Sequence, residues 1–195
     1  MNLAHLLART ARVFPERAAL AFGECELYSY RELFDRVAAI AGALRGLLQL
    51  QPGDRVALWL ANCPQYLELL YGIWHAGLAA VPINHKLHPR EVAFIVEHSQ
   101  ASVLFVGGER ADALVGSGAG ERGQRVVPLA AADYRRIVDH PPLELAPRAP
   151  DDLAWLFYTS GTTGKPKGVM LSQRNLLAMM LSYFPDVDQV DAADS

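Results

Sequence analysis

The chain has 195 residues, of which 51% are hydrophobic and 20% are charged, a composition typical of a globular protein with a sizeable core. Its formal net charge of −3 argues against nucleic acid as a main partner, and its two cysteines are too few for a disulfide framework. The N-terminus lacks the features of a signal peptide. Polar residues interrupt the most apolar stretch, 56–83, so we predict no membrane-spanning segment and expect a cytoplasmic location.

The N-terminal part of the chain predicts a helix, a pair of strands and a second helix. Apolar residues lie on one side of a helix over 2–14, and short strands are predicted at 18–22 and 26–29. Ser29 and Glu32 have the spacing of a capping box, in which each residue satisfies a backbone N–H group of the other. They therefore mark the start of a long amphipathic helix.

The middle of the chain alternates apolar strands with amphipathic helices. Strands are predicted at 55–60, 79–83 and 102–106, and helices at 64–75 and 89–98. This alternation favours an α/β fold with a mostly parallel sheet and helices on both faces. Shorter elements are predicted after it: a helix at 110–115, a strand at 125–129 and a helix at 131–138.

A proline-rich connection divides the chain. Its prolines predict a stiff surface segment, so we assign an α/β subdomain to 1–140, the connection to 141–152 and a final unit to 153–195. The neighbouring acids Asp151 and Asp152 could serve metal or acid–base chemistry, but a solvated loop is the simpler interpretation.

Several other side chains have simple structural interpretations. His85 and His88 are three residues apart but have no evident third ligand, so no metal site is predicted. Tyr158 is interpreted as a core or strand-end residue rather than a catalytic one. Aromatic residues on a strand and a helix are assigned to the core: Trp59, Tyr66, Tyr71 and Trp74. Arginines assigned to solvent-facing positions are Arg9, Arg12, Arg17, Arg31 and Arg36.

The most informative segment is 158–172, which reads Tyr-Thr-Ser-Gly-Thr-Thr-Gly-Lys-Pro-Lys-Gly-Val-Met-Leu-Ser. Glycine lets the backbone approach a ligand closely, and turns of successive backbone N–H groups bind anions. Strands are predicted on either side, at 153–158 and 168–172, with a helix from about residue 174. The glycine spacing does not fit a Walker A loop. The pattern therefore predicts a polyphosphate-binding loop within a β-hairpin.

This segment resembles the phosphate-binding signature of the adenylate-forming (AMP-binding) superfamily, which includes acyl-CoA synthetases, peptide-synthetase adenylation domains and luciferases. Motifs of that family's N-terminal region occur upstream in the same order: Gly53-Asp-Arg-Val, Asn62-Cys-Pro, Ala76-Gly and Val81-Pro-Ile-Asn. The Gly-Thr-Thr-Gly and Val-Met-Leu-Ser sequences resemble those of acyl-CoA synthetases more than those of peptide-synthetase domains. One departure is Gln173, where histidine is common in relatives.

The resemblance implies that the chain is the N-terminal portion of the family's large domain, without the rest of that domain or the C-terminal domain. It assigns no catalytic residue and no metal ligand to this chain. It implies that the ATP phosphates are bound by Thr159, Ser160, Gly161, Thr162, Thr163, Gly164 and Lys167. Lys165 occupies a position that varies among relatives and is equally well interpreted as a solvated lysine.

The function implied by the resemblance is activation of a carboxylic acid by ATP, with Mg²⁺, followed by thioester formation with coenzyme A, as in a fatty-acid–CoA ligase. The expected partners are the acid, ATP and coenzyme A, without nucleic acid or an integral membrane segment. As an incomplete piece, the isolated chain is expected to be inactive and to self-associate as a homo-oligomer. The alternatives are a non-catalytic folded module and an adenylation domain of the peptide-synthetase type.

Overall fold

The computed structural model describes residues 1–120, 123–129, 131–159 and 166–186. Helices and strands follow each other in the predicted order through most of this range. The helices are α1 (His5–Val13), α2 (Tyr30–Gly46), α3 (Pro64–His75), α4 (Pro89–His98), α5 (Ala131–Val138) and α6 (Gln173–Asp186). The strands are β1 (Ala18–Phe22), β2 (Cys25–Ser29), β3 (Arg55–Trp59), β4 (Ala79–Pro82), β5 (Ala101–Val106), β6 (Arg125–Pro128), β7 (Leu153–Thr159) and β8 (Lys167–Ser172).

The large sheet has six strands in the order β6-β5-β3-β4-β7-β8. Neighbouring strands are parallel from β6 to β7, whereas β8 is antiparallel to β7. The predicted α/β fold with a mostly parallel sheet is therefore confirmed. Because the parallel strands all end at one edge of the sheet, the end of β7 at Thr159 and the antiparallel start of β8 at Lys167 lie at that carboxyl-terminal edge. Strands β1 and β2 form a separate antiparallel pair.

Apolar side chains cover both faces of this sheet. Strand β3 shows how, because successive strand residues point to opposite faces. Its Leu58 packs in the cluster that includes residues of α2 and α3, whereas its Trp59 packs in the cluster that includes residues of α4. Both side chains are almost completely buried. The aromatic residues predicted for the core, Trp59 and Trp74 among them, are buried or packed against it.

A buried polar triad joins α2, α3 and α5. Glu68 is fully buried, and its Oε2 atom accepts hydrogen bonds from Arg36 Nε at 3.0 Å and Nη2 at 2.8 Å. The hydroxyl of Tyr134 donates to the same oxygen at 2.6 Å. Burial, and then the Glu68 carboxylate, raise the pKa of Tyr134, so this phenol stays protonated and donates. The solvent-facing assignment of Arg36 is thus wrong, because its guanidinium turns inward to compensate a buried charge.

The proline-rich segment lies against the helices. The Leu143 N–H group donates to the Ala38 carbonyl, and the Ala146 N–H group donates to the His75 carbonyl, both at 2.9 Å. The buried His75 ring in turn places Nε2 2.8 Å from the Leu143 carbonyl oxygen. Burial lowers the pKa of His75, so the neutral ring donates from Nε2. A Cβ atom at Gly42 would lie 2.0 Å from the Pro141 carbonyl oxygen, so only glycine allows this close approach.

The helix predicted at 110–115 is replaced by two short 3₁₀ turns, Gly108–Arg110 and Asp112–Leu114. The segment is too short for the cooperative hydrogen bonding that stabilises an α-helix. The Arg110 guanidinium lies over the Trp59 ring, 5.4 Å from the ring centroid. In the part of the chain that the structure describes, no helix is long and apolar enough to cross a membrane.

Candidate phosphate-binding hairpin

The antiparallel hairpin of β7 and β8 forms one side of the large sheet. Its register pairs Tyr158 with Gly168 and Thr159 with Lys167. The chain therefore leaves the sheet at Thr159 and returns at Lys167, at the carboxyl-terminal edge of the parallel strands. In open α/β sheets, ligands bind outside this edge. The exposed strand ends at Thr159 and Lys167 are thus in a position where a ligand can reach them.

The structure brings two of the predicted site residues together. Thr159 and Lys167 are both exposed and lie opposite each other at the end of the hairpin. Among the described residues, Lys167 forms no ion pair. The other predicted phosphate ligands, Ser160, Gly161, Thr162, Thr163 and Gly164, lie outside the described residues, and their role stays a prediction.

Helix α6 begins directly after β8 and fixes the other end of the hairpin. The Asn175 N–H group donates to Ser172 Oγ at 3.2 Å, and the Ser172 N–H group donates to Asn175 Oδ1 at 2.9 Å. Ser172 therefore caps the helix. Gln173 is fully buried, and its Oε1 atom accepts the Leu3 N–H group at 2.9 Å. The residue that departs from the family pattern thus connects the hairpin to the N-terminal segment.

The acidic pair before β7 is engaged by arginines. Asp152 Oδ2 lies 2.9 Å from Arg148 Nε, and Asp151 Oδ1 lies 3.0 Å from Arg174 Nη2. These contacts favour a structural role over metal or acid–base chemistry. His88 caps α4 by accepting the Arg90 N–H group at 3.2 Å. Within the described ranges, no group of three or more His, Cys, Asp or Glu residues is placed to hold a metal ion.

Comparison with known proteins identifies the family. Residues 7–195 match the AMP-binding enzyme family. The chain belongs to this family. It is 40% identical over 180 residues to feruloyl-CoA synthases of an Amycolatopsis and a Streptomyces species, across 92% of this chain and 35% of theirs. It is 29% identical to 4-hydroxybutyrate–CoA ligase 2 of Metallosphaera sedula, across 94% of this chain and 37% of that one.

Solved structures of other proteins have the same fold as this chain. ATP-bound MatB from Rhodopseudomonas palustris matches 95% of this chain with a TM-score of 0.79 and 28% identity. The N-terminal domain of FACL13 from Mycobacterium tuberculosis matches 88% of it with a TM-score of 0.78 and 29% identity. These matches cover 38% and 44% of the two solved chains, and the present chain spans about a third of the curated relatives named above. The predicted resemblance to the adenylate-forming superfamily is confirmed.

Proposed function

We propose that this AMP-binding chain is part of an acid–thiol ligase, which activates a carboxylic acid with ATP and transfers the acyl group to coenzyme A. The observation that carries the proposal is the hairpin. Thr159 and Lys167 face each other at the carboxyl-terminal edge of the sheet, on either side of the Ser-Gly-Thr-Thr-Gly segment. The relatives named as CoA synthases and CoA ligases support the choice of reaction.

The proposed reaction has two displacements. A carboxylate oxygen attacks the α-phosphorus of ATP, and the bond from that phosphorus to the oxygen bridging the α- and β-phosphates breaks. Pyrophosphate departs, and the product is an acyl-adenylate. The thiol of coenzyme A then attacks the acyl carbon, loses its proton and displaces AMP to form a thioester. The first step converts a poor electrophile into one with a good leaving group.

The hairpin would contribute electrostatic stabilisation to the first step. Negative charge builds on pyrophosphate as it departs, and preorganised donors at that position stabilise the transition state. The Lys167 ammonium would offset this charge, while hydroxyl and backbone N–H groups of 159–164 would hold the β- and γ-phosphates. Because these donors are part of the hairpin, they would hold the triphosphate in line for attack on the α-phosphorus.

The Mg²⁺ that this chemistry implies has no site among the described residues. Mg²⁺ prefers oxygen ligands, chiefly carboxylates and phosphates. The carboxylates nearest in sequence to the hairpin, Asp151 and Asp152, already pair with Arg174 and Arg148. The residues described here therefore do not fit a Mg²⁺ site, and we assign no Mg²⁺ ligand to them.

One alternative keeps the adenylation step and changes the acceptor. A relative that is 30% identical across 88% of this chain is the N-(5-amino-5-carboxypentanoyl)-L-cysteinyl-D-valine synthase of Amycolatopsis lactamdurans. In an adenylation domain of that type, the acceptor would be the thiol of a carrier protein. The higher identity to feruloyl-CoA synthases, 40%, favours coenzyme A.

The direct test of this function is acid-dependent exchange of pyrophosphate into ATP by the full-length protein. Ferulate is the first acid to try because of the feruloyl-CoA synthase relatives, and 4-hydroxybutyrate and a long-chain fatty acid complete the panel. We expect exchange with at least one acid, and a CoA thioester by mass spectrometry once coenzyme A is added. Absence of both ATP binding and exchange across the panel would contradict the proposal.

The isolated 195-residue chain is the matched control for this assay. We propose that it is a folded module without turnover, because it spans only 35% of the feruloyl-CoA synthases and carries no assigned catalytic residue. Acid-dependent exchange by the isolated chain would show that the essential groups lie within these residues.

A further inference from the structure

The side chain of Tyr158 connects the hairpin to helix α4. Its hydroxyl lies 2.7 Å from His98 Nδ1, and the two rings meet edge to face with centroids 5.8 Å apart. The His98 ring in turn stacks on Phe94, one turn earlier on α4, at 5.4 Å and 24°. Tyr158, which directly precedes Thr159 in β7, is therefore held against helix α4, which packs on one face of the sheet.

The same Tyr158 ring also covers the opposite strand of the hairpin. Tyr158 pairs with Gly168, and a Cβ atom on Gly168 would lie only 3.1 Å from Tyr158 Cζ and 3.2 Å from Leu156 Cδ1. The ring thus lies across the bare backbone of β8, next to Lys167. A side chain at position 168 would therefore require the Tyr158 ring or Leu156 to shift by a few tenths of an ångström.

Few other contacts hold this end of the hairpin. Among the described strands, β7 is the only sheet neighbour of β8, and Val169 and Met170 are 45% and 65% exposed. Strands with exposed hydrogen bonds and few buried contacts open locally at low free-energy cost. A side-chain anchor at the last pair before the loop is therefore placed where it can limit such opening.

We propose that His98, Tyr158 and Gly168 form a latch that holds both ends of the phosphate loop in register, so that Thr159 and Lys167 meet the nucleotide together. The proposal rests on the function proposed above. His98 and Tyr158 act as positioning residues: they hold the strand ends, while the loop itself contacts the phosphates. Misplacement of binding groups by about 1 Å can cost a large part of a reaction rate, so such an anchor has a functional consequence.

The latch makes a different prediction from simple packing. His98 is exposed and Tyr158 is half-buried, so the hydroxyl-to-imidazole contact is not part of the core. Its loss should leave the melting temperature almost unchanged. The effect should instead appear as a higher KM for ATP, with the KM for the carboxylic acid unchanged, and as faster amide exchange at the two strand ends.

The experiment compares Tyr158→Phe, His98→Ala and the double variant in the full-length protein. Tyr158→Phe keeps the ring over Gly168 and removes only the hydroxyl. Both single variants break the same hydrogen bond, between Tyr158 and His98. We therefore expect each to raise the KM for ATP about 3- to 10-fold, and the double variant to raise it no further. The matched control is Tyr66→Phe, which removes a hydroxyl from a partly buried tyrosine on α3.

Hydrogen–deuterium exchange without nucleotide gives the readout that does not depend on activity. Peptides over 156–170 should exchange faster in Tyr158→Phe and His98→Ala than in Tyr66→Phe. An unchanged KM for ATP together with unchanged exchange in both variants would overturn the latch, and so would additive effects in the double variant. If the wild type lacks nucleotide-dependent activity, the proposed function falls, whereas the exchange comparison still tests whether the latch holds the strand ends.

Discussion

Replacing Lys167 with alanine in the full-length protein is expected to lower the rate of acyl-adenylate formation by about 10²-fold, the size of effect seen when one donor to a developing anion is removed. Lys167 lies at the end of the hairpin opposite Thr159 and forms no ion pair within the described residues. In the proposed reaction, its charge would offset that of pyrophosphate as that group departs. The measurement is kcat/KM for acid-dependent pyrophosphate exchange.

Two other lysines provide the comparison for this variant. Lys86→Ala removes an exposed lysine that lies on another segment of the chain, so its exchange rate should match that of the wild type. Lys165→Ala removes the other lysine of the motif, for which a solvated role is equally consistent with the sequence, and its rate decides between the two roles. A Lys167→Ala rate within about twofold of the Lys86→Ala rate would remove Lys167 from the site, because a lost donor costs about 10²-fold or more.

Replacing Arg36 with alanine is expected to lower the free energy of unfolding by about 3–5 kcal/mol, because the Glu68 carboxylate would be left buried without its partner. The side chain of Glu68 is 1% exposed and that of Arg36 is 26% exposed, so the lower end of this range is expected. Chemical denaturation followed by tryptophan fluorescence measures it, since Trp74 and Trp155 lie in the same part of the fold.

Arg31 offers a matched control on the same helix. Arg31 and Glu16 form an ion pair at 3.5 Å with side chains that are 60% and 83% exposed. Surface pairs of this kind contribute at most about 1 kcal/mol, so Arg31→Ala should change stability little. Tyr134→Phe should give an intermediate loss of about 1.5–3 kcal/mol, the value for a hydrogen bond to a charged group. Equal losses for Arg36→Ala and Arg31→Ala would show that the triad is not a significant source of stability.

The elements that the sequence predicts well are those specified by neighbouring residues. The capping box of Ser29 and Glu32 is present, with the Glu32 carboxylate accepting the Ser29 N–H group at 2.8 Å. Helices α3 and α4 begin at the prolines that predict their first turns. Each of these signals lies within one turn of the backbone it determines, so it can be recognised without knowledge of the fold.

The contacts that the sequence does not reveal join residues far apart in the chain. Glu68 is 32 residues from Arg36 and 66 from Tyr134, and in the sequence it looks like a polar interruption of an apolar stretch. His98 is likewise 60 residues from Tyr158. The sequence next to a charged or aromatic residue does not identify such a partner, because the packing of helices and strands determines which residues meet.

The candidate site also has some features that the sequence predicts and others that only the structure reveals. The glycine, hydroxyl and lysine pattern predicts the loop and its flanking strands, and the described strands confirm both boundaries to within one residue. The register that places Thr159 opposite Lys167, and the approach of the Tyr158 ring to Gly168, depend on pairing between strands. The chemistry of the site is therefore predicted by the sequence, whereas its support is visible only in the structure.

The most direct test of the central claim is nucleotide-dependent protection of the hairpin. Hydrogen–deuterium exchange of the full-length protein should show slower exchange over 156–170 when ATP or inorganic pyrophosphate is added, and no change there with adenosine. Protection that appears equally with adenosine, or ATP binding that leaves this segment unprotected, would contradict the assignment of the β7–β8 hairpin as the site that holds the triphosphate.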